Sequence, residues 1–321
     1  MRNLATAILL SIAIYQMASA QDLQDKSIST QQQLKLSVSV LTKDIGERNL
    51  TNYDSLNKAA KWIDRQLKKT GFHVSCQTFQ VHGLDCHNII AEKKGTTQPK
   101  KIIVIGAHYD SAENTPGAND NGSGVASLLV LANRFRNVQS DLTIRFVAFT
   151  NEEPPYFQRE DQMGSWVYAR ACRKNSDDIV GVISLETMGY FTDEKNSQNY
   201  PAPIRDQYPT TGNFIGFVGD TKSRPFTRRC YQVFKDNSKV PIEVASLPGS
   251  IPGVGWSDHW SFWQEGYAGL MVTDTAPFRY PHYHRKSDTV DKLDFAKLAA
   301  IVDGLEIVIK TMATAKKGPS Q

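Results

Sequence analysis

Apolar residues follow two rhythms along this chain, and one gives way to the other near Lys100. Over residues 29–67 they recur at helical spacing. KAAKWIDRQLKKTG sets Ala60, Ile63 and Leu67 on one face and ends at Gly71, a helix stop. HVSCQTFQV and HNIIAEKKG, joined by a turn containing glycine, then read as an antiparallel pair. Beyond Lys100, the apolar runs KIIVIGAHYD, LTIRFVAFTNEE and IVGVISLETMGY alternate with the helical stretches SGVASLLVLANRFR and MGSWVYARACRK. Strands apolar on both faces belong in a covered, largely parallel sheet, and the helices between them serve as crossovers. NFIGFVGD and YAGLMVTDT add later strands, and LDFAKLAAIVDGLEIVIKTMA a closing helix. With no repeat, low-complexity tract or linker, the pattern predicts a single three-layer α/β/α domain. Its central mixed, mostly parallel sheet has about eight strands flanked by helices.

Composition narrows the setting. Net charge is +4 with both signs interspersed, so nothing demands nucleic acid or an anionic membrane as partner. Met1 and Arg2, an apolar stretch over residues 4–15 and Ala18-Ser19-Ala20 form a secretory signal pattern, residues 1–20, cleaved after Ala20. The domain is then residues 21–321, secreted or periplasmic, with no later segment of about 20 unbroken apolar residues to span a membrane. In an exported chain the 4 cysteines allow two disulfides. Cys76 and Cys86 flank the predicted hairpin and are the preferred pair, leaving Cys172 with Cys230; their spacing fits no compact zinc cluster.

The informative polar residues sit where strands end. KIIVIGAHYD finishes in His108 and Asp110, GANDNGSG carries Asp120, TIRFVAF runs into Glu152 and Glu153, and IVGVISLE finishes in Glu186. The carboxyl ends of strands line the ligand crevice of an open α/β sheet, so these acids converge. Singly, each has a plain explanation: a hydrogen-bonded histidine, a turn-forming aspartate, a solvated strand end. Together, carboxylates in one pocket repel one another unless cations neutralise them. Imidazole suits zinc, and Asp110, two residues after His108, can take the other ring N–H. His282 or His284, in PHYHRKSDT, can complete a second ion. Asp120 can offer one oxygen to each of two ions, with Gly117, Gly122 and Gly124 letting the loop fold closely. Of the adjacent pair, one glutamate can bind metal while the other acts as general base, and Pro154 and Pro155 hold the turn in one shape.

Five ordered motifs carry a resemblance: GAHYDS, GANDNGSGVA, NEEPP, SLETMGY, and SDHWSFW followed by YHRKSDT. The chain resembles the co-catalytic zinc aminopeptidase family, of the secreted bacterial leucyl aminopeptidase type, over nearly all of the mature sequence. The resemblance implies two zinc ions: one on His108 and Glu186, the other on Glu153 and His284, bridged by Asp120. It implies Glu152 as general base, Tyr283 as a hydrogen-bond donor to the oxyanion, Asp110 orienting His108 and Asp258 supporting His284. His284 is preferred to His282 because Tyr-His followed by Asp288-Thr289 matches the family pattern. Many relatives have aspartate where Glu186 stands. The implied activity is a secreted, monomeric zinc exopeptidase acting on peptide substrates, most simply an aminopeptidase.

Other readings exist on the same fold: a single-zinc, glutaminyl cyclase-like acyltransferase, a carboxypeptidase or dipeptidase, or a receptor ectodomain without activity. Arg279 is either a receiver for a substrate carboxylate or a surface residue capping a turn. Trp256, Trp260, Phe262 and Trp263 either wall a specificity pocket or pack in the core. Asn49-Leu50-Thr51 and Asn121-Gly122-Ser123 match the glycosylation sequon.

Overall fold

The computed structural model describes residues 28–315, so the signal pattern and its cleavage point lie outside the described residues. Eight strands form one sheet: β1 (His73–Val81), β2 (Leu84–Lys93), β3 (Gln98–His108), β4 (Leu142–Phe149), β5 (Asp178–Glu186), β6 (Ile215–Gly219), β7 (Ile242–Ser246) and β8 (Gly269–Thr273). Their order is β1-β2-β4-β3-β5-β8-β6-β7. The four middle strands, β4, β3, β5 and β8, run parallel, while β2 and β6 lie antiparallel to them at either side. Parallel alignment sends the carboxyl ends of those middle strands to one edge of the sheet, where the acids were expected to meet.

Alternation along the strands divides the core into two parts. Ile103, Ile105 and Ala107 of β3, with Ile144, Phe146, Ile183, Leu185, Leu270 and Val272, face the larger part. It is covered by α1 (Thr30–Ser39), α2 (Tyr53–Lys68), α3 (Gly124–Arg134), α5 (Arg224–Asn237) and α8 (Phe295–Met312). Ile102, Val104, Val147, Phe149 and Val182 face a smaller part under α4 (Gly164–Lys174) and α6 (His259–Gln264). The last helix of the described chain order before α8 is the single turn α7 (Ala276–Arg279). Local signals set the boundaries: Ser29 and Gln32 form a reciprocal cap on α1, and Asp294 caps α8 by accepting from Lys297 N–H. Gly71, at φ 77°, ends the segment after α2 as the pattern required. No helix among the described residues is long and apolar enough to cross a membrane.

The disulfide expectation is corrected: all four cysteines are free. In the β1–β2 ladder Cys76 stands opposite Ile89, and Cys86 opposite Phe79, so the two cysteines are not cross-strand partners. Cys172 packs in the smaller core and Cys230 in the larger one, with the sheet between them. The sequons are inaccessible too. Asn49 is buried with its amide on Ser111 O, and the fully buried Asn121 donates to Leu185 O. Unreduced protein, denatured and treated with iodoacetamide, should therefore take up four alkyl groups by mass spectrometry; a gain of two or none would restore a disulfide.

Candidate metal centre

Each site residue is delivered by a strand end or by a loop pinned to one. His108 is the last residue of β3, Glu186 the last of β5, and Glu152 and Glu153 follow β4 by three and four residues. Asp120 lies on the buried loop leading into α3, and His284 on the loop after α7. After Glu153 the chain turns, with Tyr156 N–H donating to Glu153 O at 3.0 Å, as the two prolines foretold.

The geometry is that of two donor sets sharing one carboxylate. His108 Nε2 stands 3.1 Å from Glu186 Oε2 and 3.4 Å from Asp120 Oδ1. The other Asp120 oxygen, Oδ2, is 3.1 Å from His284 Nε2, which is 3.0 Å from Glu153 Oε2. Glu152 is within reach of the first set, its Oε2 3.8 Å from His108 Nε2. Ligands held tetrahedrally at zinc's usual bond lengths are roughly 3.3 Å apart, so these spacings suit the edges of coordination shells. The imidazole atoms point the same way: Nε2 of His108 and of His284 are buried without a hydrogen-bond partner. On both counts the residues fit a pair of zinc ions.

Electrostatics explains why the cluster asks for cations. Burial pushes the carboxyls of Glu152, Glu153 and Glu186 above their ordinary range, Glu153 to about 8, and neighbouring carboxylates push further. Burial likewise opposes charge on the histidines. The acids outweigh it: Glu186 and Glu152 hold His108 well above its usual pKa, while Asp120 and Glu153 hold His284 at about 11. Protons are thus retained where divalent ions would otherwise sit.

A supporting frame fixes these groups. Asp110 accepts from the N–H groups of Glu152 (3.1 Å) and Glu153 (3.0 Å), orienting the acid pair through its backbone. Its Oδ1 is also 3.5 Å from His108 Nδ1, near enough to bias the ring but long for a hydrogen bond. Glu153 Oε1 accepts from Ala112 N–H at 3.0 Å, leaving Oε2 for His284. Ser257 donates to Glu186 Oε2 at 2.8 Å. Asp288 accepts from the N–H groups of Asn119 (2.9 Å) and Asp120 (3.2 Å) and from the Tyr280 hydroxyl (2.7 Å), holding the bridging loop. The same loop is clamped from behind by Arg48, fully buried, which donates to the carbonyls of Tyr109, Leu41, Gly46, Pro116 and Gly117. Gly117, at φ 62°, has no room for a side chain: a Cβ there would meet Asp120 O at 2.4 Å.

Several expected residues fall elsewhere. Asp258 is not brought to His284. It is buried on the His108 side, where its charge acts on Glu152 and is felt alongside Glu186 and Asp110; burial raises its pKa to about 7. His282 is outside both donor sets, bonded through Nδ1 to Ser287 at 2.8 Å. Tyr283 stacks on His284, ring centroids 3.9 Å apart, above the acids; burial, then Asp120 and the glutamates, keep its phenol protonated. Arg279 is not a surface cap: it is buried, its Nε donating to Gln198 and its Nη1 to Phe214 O, each at 2.7 Å, with Nη2 left without a hydrogen-bond partner. Phe262 is core, and of the four aromatics only Trp256 lines the adjoining pocket. Sequence reasoning missed Arg48 and Ser257. Ser257 immediately precedes Asp258 in a recognised motif, whereas Arg48 carries no local signal.

A profile of peptidase family M28 matches residues 88–308, and the chain belongs to that family. It is 36% identical over 283 residues to the uncharacterized protein YfbL of Escherichia coli (strain K12), spanning 85% of this chain and 86% of that one. To a probable leucine aminopeptidase of Trichophyton verrucosum (strain HKI 0517) it is 25% identical over 271 residues, 78% of this chain and 66% of the other. Two solved structures share the fold. BSAP, a zinc aminopeptidase from Bacillus subtilis, matches with TM-score 0.69 at 16% identity over 90% of this chain and 96% of its own. A Bacteroides thetaiotaomicron glutaminyl cyclase matches with TM-score 0.65 at 20% identity, over 87% and 97%. The chain is accordingly a zinc metallopeptidase, a hydrolase.

Two outcomes follow from the frame and the charge. Arg48→Met strands buried carbonyls and removes a cation behind the acids, and should cost about 3 kcal/mol of unfolding free energy in a urea titration. In metal-free protein the folded state keeps Glu153 protonated up to about pH 8, while the unfolded chain releases that proton near the ordinary carboxyl pKa. Native protein therefore binds the extra proton, and stability falls as pH rises through that window. Chelated samples should lose Tm between about pH 4.5 and 8 more steeply than zinc-loaded ones; parallel slopes would show that cations do not relieve the repulsion.

Proposed function

We propose that this protein is an exported aminopeptidase working with two zinc ions. The observation that carries the two-ion reading is Asp120, whose oxygens face different histidines, Oδ1 toward His108 and Oδ2 toward His284. His108, Glu186 and Asp120 would hold one ion, and Glu153, His284 and Asp120 the other. Bound there, zinc supplies Lewis acidity that polarises a scissile carbonyl and makes a water more acidic.

The chain's own groups do the rest. Glu152 is the one acid of the adjacent pair whose carboxylate accepts no hydrogen bond within the described protein, and it stands beside the shared centre. It takes the proton from the attacking water and later gives it to the leaving amine. The neutral Tyr283 phenol, stacked on His284, donates to the oxyanion of the tetrahedral adduct.

Removal from the amino end is favoured by the pocket that opens beside Glu186 and Tyr283. No lysine, arginine or histidine lines it among the described residues, so no cationic side chain in its wall is there to pair with a substrate's terminal carboxylate. A free α-amine, by contrast, suits an acidic centre. The cyclase reading has fold likeness behind it, but the complete set of Asp120, Glu153 and His284 favours a second ion. Export rests on the amino-terminal pattern, residues 1–20.

Glu152→Gln should keep its zinc by elemental analysis yet lose about a thousandfold in kcat on amino-acid p-nitroanilides, with N-blocked substrates inert throughout. Asp120→Ala should weaken both ions. Near-normal turnover in Glu152→Gln would remove it as the base, and cleavage of N-blocked substrates would remove the aminopeptidase reading.

A further inference from the structure

A hollow beside the metal centre lies over β6 and β7, on the sheet face that α4 and α6 leave uncovered farther in. Glu186 and Tyr283 form part of its wall. Register fixes its length. Glu186 pairs with Thr273, Thr273 with Gly216, and Gly216 with Glu243, a straight row across four strands. Cross-strand partners present their side chains on one face, so Glu186 and Glu243 rise from the same floor, three strand spacings or about 14 Å apart. Between them Gly216 contributes no side chain, and the floor stays open.

The walls are mostly apolar, with Gln198, Thr273 and Thr275 among the lining residues. Ile204, Met271 and Phe278 line the middle, and Trp256, stacked on Phe278 at 6.2 Å, stands at the rim. At the end are the Glu243 carboxylate and the rings of Tyr200 and Tyr208, whose centroids are 5.8 Å apart. The tyrosine hydroxyls are engaged elsewhere, donating to Pro209 O and Val244 O. Among the described residues the Glu243 carboxylate has no hydrogen-bond or ion-pair partner. Burial pushes its carboxyl up, and the charge of Lys235 offsets this in part without an ion pair.

A half-buried anion flanked by two aromatic faces at the end of an apolar slot is complementary to a cation on a methylene stem. We propose that Glu243, with Tyr200 and Tyr208, receives the side chain of the substrate's first residue and selects arginine or lysine over apolar side chains of similar length. Arginine fits best, since its guanidinium can both bond the carboxylate in two places and lie against a tyrosine ring. The proposal rests on the aminopeptidase reading for its substrate, and extends it to the side chain recognised.

Binding separates the two claims. Calorimetric titration of zinc-loaded protein with L-argininamide and L-norleucinamide should give argininamide the tighter Kd by about tenfold or more, and Glu243→Gln should erase the difference while leaving norleucinamide unchanged. Glu243→Gln is isosteric on a half-exposed edge strand, and the unchanged norleucinamide affinity is the control for its folding. Equal affinities in the wild type, or a preference that survives the substitution, would overturn the assignment whether or not any substrate is cleaved. If the preference holds and depends on Glu243 but no aminoacyl substrate turns over, the pocket assignment stands and the aminopeptidase reading fails. Where turnover is measurable, kcat/KM for arginine and lysine p-nitroanilides should fall about tenfold to a hundredfold in Glu243→Gln, with leucine little changed; a parallel fall in all three would count against Glu243.

Discussion

Mutual repulsion among buried carboxylates is the constraint around which this protein is arranged. Asp120, Glu152, Glu153 and Glu186 are each at least nine-tenths buried, and so are Asp110, Asp258 and Asp288 behind them. Such a concentration of negative charge away from water is tolerable only with positive charge among it. Part of that charge is permanent, in Arg48; part is supplied by backbone N–H groups aimed at Asp110 and Asp288. The remainder falls to the two histidines and to whatever cations they hold. The frame is therefore as much an electrostatic device as a mechanical one, since each N–H that fixes a position also neutralises a fraction of a charge.

Sheet topology supplies the convergence. Because β4, β3, β5 and β8 are parallel, their ends bring His108, the Glu152-Glu153 pair and Glu186 to one edge without long excursions of chain. The antiparallel β6 and its neighbour β7 extend the sheet past the last covering helix, leaving a bare patch of floor next to the reacting centre. Site and pocket thus come from one sheet, its middle carrying the chemistry and its flank the hollow.

Much of this was written locally in the sequence. Continuous apolar runs ending in His or acid, glycines around Asp120, and Glu-Glu before Pro-Pro depend on neighbours within a few residues, and the structure places His108 beside Asp120 and Glu186, and His284 beside Asp120 and Glu153. What escaped depends on distant pairing. Arg48 reaches carbonyls sixty and more residues away, and nothing near it betrays a buried role. Asp258 was placed beside the wrong histidine because a motif gives order along the chain, not which side of a pocket a side chain enters. The disulfide expectation failed for a related reason: flanking a hairpin does not make two cysteines opposite, and a sheet separated the other pair. Glu243 had no motif at all; only the register from β5 across to β7 shows what it faces.

That register also separates two kinds of evolutionary risk. Glu243 lies on the outermost strand, next to solvent and remote in packing from the donor sets around Asp120. An exchange there alters the far end of the hollow while the two donor sets, four strands in from that edge, are left alone. The margin of the sheet and its middle can thus change independently, because a side chain on β7 packs against neither donor set.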